Sequence, residues 1–235
     1  MHILDNTGYG KRLMTQSKLY KEQNKTNRTL VMFSGGLDST AALWHVLNRP
    51  KKYGEIHVHH IHIQNVENRW RAEADAVTAI LAYMREHAPA KFTTSDSTIR
   101  APQLGKRFLY DVEVFNYITG YMTSRDPLIN KVVIGATGTD FAIGIDESFK
   151  RGKAMHNVFH PNEEDHSARI KEFPHKNLTK AEIYKTLPPE LALLTWSCRR
   201  PRYVDGKPIE CGQCKTCLIE MRDVERPKPT KARFN

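Results

Sequence analysis

The chain has no cysteine before position 198, and all four that it contains lie between positions 198 and 217. A disulfide framework spread through the fold is thereby excluded, and in a reducing compartment clustered thiols point first to a metal. Long apolar runs are missing too. No stretch approaches the roughly 18 apolar residues that a membrane span needs, and Met1–Asn6 shows no apolar run ending in a small-residue cleavage site. The expectation is a cytoplasmic protein without a membrane anchor. Acidic residues are scarce, 26 against 36 lysines and arginines, for a formal net charge of +10. Such a balance asks for a polyanionic partner, and ATP, pyrophosphate or nucleic acid would each serve. Much of the excess sits at the ends, in Lys11, Arg12, Lys18, Lys21, Lys25 and Arg28 and again in Lys228, Lys231 and Arg233. Solvated tails account for it more simply than nucleic-acid arms. No internal repeat or low-complexity tract is present.

What is there reads as alternating strands and helices. Residues 1–28 are polar, basic and aperiodic, and form an N-terminal extension. Thr29–Phe33 is a short apolar run ending at Ser34-Gly35-Gly36, the pattern of a buried parallel strand. A helix over Asp38–Asn48 follows, closed by Pro50. Ile56–Ile63 is the second strand, and Trp70, Ala74, Val77, Leu81 and Met84 mark a helix within Glu67–His87. Lys91–Thr94 makes a third strand, Phe108–Thr123 a helix, Lys131–Gly135 a fourth strand and Ala168–Phe173 a last one. Thr179-Lys180-Ala181-Glu182 is a capping box that opens a helix. The alternation predicts an α/β, Rossmann-like parallel sheet of about five strands with helices on both faces. One α/β domain over 29–176 and a C-terminal helical region over 177–235 make up the rest.

Ser34-Gly35-Gly36-Leu37-Asp38-Ser39 lies between strand and helix, where backbone N–H groups and the positive helix end converge on a phosphate. Two glycines let the backbone approach an anion, and Ser34 and Ser39 can donate hydroxyl hydrogen bonds. Asp38 would repel phosphate directly, so its roles are to hold the loop or help hold Mg²⁺. The loop lacks the Gly-Lys-Ser/Thr of a Walker A loop and the three spaced glycines of a dinucleotide fingerprint. Cys198, Cys211, Cys214 and Cys217 are spaced to close a tetrahedral, structural Zn²⁺ site, with an iron–sulfur cluster as the alternative.

The hexapeptide resembles the SGGxDS loop of the PP-loop ATP pyrophosphatase superfamily, also called adenine nucleotide alpha hydrolase-like. Leu178–Ile183, Thr195-Trp196-Ser197-Cys198 and Cys211-Gly212-Gln213-Cys214-Lys215-Thr216-Cys217 are similar to the C-terminal half of the 7-cyano-7-deazaguanine synthases of queuosine synthesis. Gly135, Thr139-Asp140-Phe141 and Asp146 extend the likeness, which departs from the family pattern on both sides of Asp146. The resemblance implies ATP-dependent adenylation of 7-carboxy-7-deazaguanine, attack by free ammonia, and conversion of the amide to the nitrile with release of AMP and pyrophosphate. It implies a homodimer as well. ATP and Mg²⁺ would be held by Ser34, Gly35, Gly36, Leu37, Asp38 and Ser39, with Gly135 and His62 nearby. Asp38, Ser39, Lys180 and Asp140 would serve catalysis, and Asp140, Phe141 and Asp146 the deazapurine carboxylate. The rival readings are an RNA-modifying enzyme such as a tRNA thiolase, a relative acting on another carboxylate, and a nucleotide-binding module without turnover.

Strand alternation places His57 and His59 on one face and His60 and His62 on the other. Trp70 and Phe115 fall on apolar helical stripes and are expected in the core. His156, His160 and His166 are too dispersed for any reading.

Overall fold

The computed structural model describes residues 27–101, 111–138, 140 and 146–224, the last range without the side chains of its first three. A run of four buried residues, Leu30-Val31-Met32-Phe33, makes the strand β1 (Arg28–Phe33) the centre of the sheet. Burial on both faces is what a continuous apolar run in a parallel sheet requires. On one side it pairs in parallel with β2 (Glu55–Gln64), from Arg28 opposite Glu55 to Phe33 opposite His60. On the other it pairs with β4 (Ile129–Val133). The five-stranded order is β3-β2-β1-β4-β5, with β3 at Thr93–Arg100 and β5 at Lys171–Glu172, and every pairing is parallel. The chain winds outward from β1 and then returns across it to β4, which makes the β1/β4 boundary a topological switch point where ligands bind such sheets.

Helices cover both faces, as the alternation predicts. Against one face pack α1 (Leu37–Leu47), α3 (Trp70–His87), α7 (Lys180–Lys185) and α8 (Pro189–Leu193), in a core that includes Val31, Val58, Leu43, Ile80, Ile183 and Leu191. A short α2 (Pro50–Tyr53) joins α1 to β2. Against the other face lies α4 (Asp111–Arg125), in a smaller core of Leu30, Met32, Ile61, Ile63 and Val114. The α5 helix (Asp146–Asn157) packs on α4, and α6 (His166–Ile170) follows it. A hairpin of β6 (Arg202–Val204) and β7 (Lys207–Ile209) leads into α9 (Lys215–Asp223). Among the described residues no helix is long and apolar enough to cross a membrane.

Two elements differ from the sequence reading. The third strand runs over Thr93–Arg100 instead of Lys91–Thr94, because it is an exposed polar edge whose side chains carry no apolar signal. The first half of the segment read as a strand over Ala168–Phe173 belongs to α6, since the Asp165 side chain caps that helix by accepting from the Ala168 amide at 3.1 Å. Only Lys171–Glu172 remains extended. Trp70 is half-buried beneath the Arg71 guanidinium, outside the core. The 1–26 part of the extension, residues 102–110 and residues 225–235 lie outside the described residues.

Candidate active site

The glycine loop leaves β1 at the switch point and is held by its own serines. Ser34 and Ser39 hydroxyls are 3.0 Å apart, and Ser39 Oγ accepts from the Ser34 amide at 3.2 Å while donating to the Gly36 carbonyl at 3.1 Å. Gly35 takes φ +76°, a left-handed conformation that an L side chain resists, and an added Cβ would lie 3.1 Å from Val77 Cγ2. Gly36 is the N-cap of α1 and offers no side chain to its first amides, so these stay available to an anion. Leu37 turns its side chain into the core and contributes only backbone to the loop.

Gly135, just past β4, has a different reason to be glycine. A Cβ there would sit 2.4 Å from the Asp38 carbonyl carbon and the Ser39 nitrogen. The end of β4 therefore backs directly onto the first turn of α1, and Gly138 continues the contact by donating to the Leu178 carbonyl at 2.8 Å.

Lys180 reaches the loop from α7. Its start is fixed by Thr179 and Glu182: the Thr179 hydroxyl accepts from the Glu182 amide at 3.3 Å, and the Glu182 carboxylate accepts from the Thr179 amide at 2.8 Å. That box places Lys180 in the first turn, where its ammonium donates to Asp38 Oδ2 at 2.7 Å. Burial raises the Asp38 carboxyl above its ordinary range against the pull of Lys180. The Lys180 ammonium loses water too, but Asp38 outweighs that loss and keeps it charged. Asp38 Oδ1 is buried and has no partner among the described residues, an acceptor that suits Mg²⁺ or a ligand hydroxyl.

Asp140 is engaged locally. Its Oδ2 accepts from the Thr137 amide and hydroxyl, each at 2.9 Å, and its amide donates back to the Thr137 hydroxyl at 3.2 Å, a capping-box arrangement at the edge of the cavity that Asp140 lines. Phe141 and the Asp146 side chain lie outside the described residues, although Asp146 opens α5. His62 faces away from this cavity, because His59, Ile61 and Ile63 line it and strand side chains alternate.

That cavity, about 730 Å³, opens between the α4 side of the sheet and the α4 and α5 helices, with Ser34, Ser39 and Gly135 at its edge. Its floor is Met32, Ile61 and Ile63, and Phe115 stands on the opposite wall, so Phe115 borders open space as well as the smaller core. One wall is charged, a feature that the sequence reading missed. Arg69 meets Glu67 at 2.7 Å, Glu73 at 2.6 Å and Asp111. Arg199 closes the ring to Asp111 and Glu67, both at 3.1 Å. Burial lifts Glu73 to about 7 despite Arg69 beside it. Arg69 is desolvated too, but Glu73, Asp111 and Glu67 more than compensate and raise it. Lys171, brought to about 8 by burial, donates to Asn116 Oδ1 and Ser167 Oγ on another wall. His59 is lowered to about 4 by burial, its two ring nitrogens meeting Ser95 and Ser97 at 2.8 and 3.0 Å.

The four cysteines converge behind the loop. One sulfur from each lies within 4.8 Å of the others, with Cys214 and Cys217 3.4 Å apart and Cys211 and Cys217 4.0 Å apart. Thiolates on one tetrahedral ion with bonds near 2.3 Å sit about 3.8 Å apart, so a single metal ion fits. Amides of Gln213 and Cys214 donate to Cys211 Sγ at 3.4 and 3.2 Å, in a turn where Gly212 has φ +65°. The cluster is tied to the loop, since Trp196 donates its indole N–H to the Cys198 carbonyl at 3.0 Å and its amide to the Gly35 carbonyl at 2.9 Å.

No protein-family model matches the sequence, and no curated protein does. Among solved structures, the chain is similar to the U34-tRNA thiolase NcsA from Methanococcus maripaludis, a protein solved with its [4Fe-4S] cluster. The TM-score is 0.52 at 13% sequence identity, covering 88% of this chain and 70% of that one. The likeness is one of fold: a Rossmann-like parallel sheet with helices on both sides.

Proposed function

We propose that this chain is an ATP-dependent synthase of the PP-loop type that adenylates a carboxylate and passes the activated acyl group to ammonia. The acceptor proposed is 7-carboxy-7-deazaguanine. The observation that carries the reading is the uncapped Ser34–Ser39 loop, with Lys180 and Asp38 beside it, at the edge of a cavity of about 730 Å³. A cavity of that size, with an apolar floor and a few polar groups, suits a bicyclic base. The carboxylate oxygen attacks the α-phosphorus and pyrophosphate leaves. Ammonia then attacks the acyl carbon, AMP departs, and the amide forms. A second activation of the amide oxygen followed by loss of AMP and a proton gives the nitrile.

The chain's contribution is charge and position more than a nucleophile. Loop amides and the Ser34 and Ser39 hydroxyls cradle the pyrophosphate, while Lys180 balances its charge. Asp38 Oδ1 is the acceptor for Mg²⁺, which when bound neutralises phosphate charge. Glu73, Asp111 and Asn116 are placed to read the edges of a heterocycle. The cysteines hold a structural Zn²⁺ in this reading. A second reading, an RNA-thiolating enzyme, is favoured by the structural likeness; the close sulfur spacing argues for one ion and against a cluster. Incubating the protein with ATP, Mg²⁺, ammonium and 7-carboxy-7-deazaguanine should yield amide and nitrile with AMP and pyrophosphate, read by mass spectrometry. ADP and phosphate as direct products, or an iron–sulfur chromophore in the purified protein, would overturn it.

A further inference from the structure

Far from the cysteines, on the opposite face of the sheet, three histidines that are scattered in sequence come together. His156 lies in the last turn of α5 and is fully buried, His160 follows in the turn after it, and His166 opens α6, 5% exposed. His156 Nε2 and His166 Nδ1 are 2.9 Å apart, and the His160 ring stacks on that of His166. One nitrogen of each lies within 4.8 Å of the other two.

The outer hydrogen bonds decide which nitrogens are bare. The Thr119 hydroxyl donates to the Asn116 carbonyl at 3.0 Å, so it accepts from His156 Nδ1 at 3.1 Å and leaves Nε2 with its lone pair. Thr123 repeats the arrangement one turn along α4. Its hydroxyl donates to the Thr119 carbonyl at 2.8 Å, so it accepts from His160 Nε2 at 2.9 Å and leaves Nδ1 bare. Orientation of a ligating imidazole by a hydrogen bond from its far nitrogen is a recurrent feature of metal centres. His160 and His166 border a second cavity of about 340 Å³, which Glu163 also lines while its carboxylate accepts from Arg169 at 2.7 Å.

We propose that His156, His160 and His166 form a second metal site on this chain, for one divalent first-row transition ion of the zinc or nickel class. Three neutral imidazoles are the donor set that such ions prefer, whereas Mg²⁺ and Ca²⁺ take oxygen. The ion takes the place of the proton between His156 and His166, which moves to His166 Nε2 so that all three rings stay neutral. Nitrogens on a tetrahedral ion sit about 3.3 Å apart, so that pair opens by a few tenths of an ångström and the His160 ring swings out of its stack. The fourth position faces the smaller cavity and takes water or the Glu163 carboxylate. Because α6 also carries Ser167 and leads into Lys171, both on the wall of the larger cavity, the ion fastens that wall to α4 and α5.

The test is equilibrium dialysis of the whole protein against micromolar ZnCl₂, followed by metal analysis of wild type and His160→Gln. Wild type should retain one more ion per chain than the variant, whatever the cysteines hold. Cobalt(II) in that additional site should give visible d–d bands without the sulfur charge-transfer absorption of a thiolate site. Circular dichroism without added metal checks that His160→Gln is folded. Thr123→Val keeps all three imidazoles and should weaken the additional ion by roughly 10- to 100-fold, and this arm decides if His160→Gln misfolds. Equal metal content in wild type and folded His160→Gln, or unchanged affinity in Thr123→Val, would overturn the proposal.

Discussion

The two faces of the sheet start from similar material and end differently. On the α1/α3 side, Val31, Phe33 and Val58 pack with Leu43 and Ile80 of the helices in the larger core, and the cysteine segment joins it through Trp196, Cys198 and Cys217. On the α4 side, Leu30, Met32, Ile61 and Ile63 are just as apolar, yet their helices stand off and leave about 730 Å³ ringed by charge. Apolar periodicity thus identifies which residues leave water without revealing whether protein or ligand replaces it. One face supplies stability, and the other supplies room.

The largest effect should come from the cysteines, which belong to the packed face. If they hold the proposed zinc ion, a chelator or Cys214→Ser should collapse the C-terminal region, since structural zinc contributes on the order of 10–16 kcal/mol in small zinc domains. A metal-free protein with an unchanged melting transition would show that the packed face stands without it. Next is Leu43→Ala on α1, expected to cost about 2–5 kcal/mol in urea unfolding while the folded fraction keeps its turnover. Ile61→Ala, beside open volume, should cost clearly less, and equal losses would erase the distinction between the faces.

On the cavity side the loss should appear in rate. Ser39→Ala removes a hydroxyl from the glycine loop and, for the proposed adenylation, should lower AMP and pyrophosphate release by roughly 10²-fold, about 2.7 kcal/mol of barrier, in the protein that remains folded. Unaltered turnover would remove the loop from the chemistry. The smallest effect is one in which both faces behave alike. His59 on one and His60 on the other are each lowered by burial to about 4 from an ordinary 6.5. In the unfolded chain they take up protons that the folded chain refuses, so stability is full above pH 6.5 and falls as pH drops toward 4. The loss should be roughly 1–3 kcal/mol for each histidine. His59→Gln should flatten that slope in acid melting curves, and an unchanged slope would show that His59 charges freely in the fold.

Features written in consecutive residues were legible in the sequence. Ser34–Ser39 specifies its own turn, its serines bond one another, and Thr179–Glu182 caps its own helix. The fold class followed from alternation for the same reason. What was not legible is assembled across distance. Arg69 finds Asp111 and Arg199 finds Glu67 only once the sheet has formed, and the three histidines gain meaning only when α4 lies beneath α5. The edge strand Thr93–Arg100 was misplaced because a strand with a solvated face leaves no apolar trace. His62, singled out by its position along β2, lies on the face of the strand opposite the larger cavity.

The hydrogen bond from the Trp196 amide to the Gly35 carbonyl has a consequence for the order of events during synthesis. Residues that would grip phosphate are made more than a hundred residues before the partner that fastens them, which stands two residues ahead of the first cysteine. The nascent sheet can gather β1 and its helix without that partner, yet the loop stays unfastened until the last thiols are out. In a chain that takes nucleotide at the loop and a metal at the cysteines, the two sites would therefore mature together, once both segments have met.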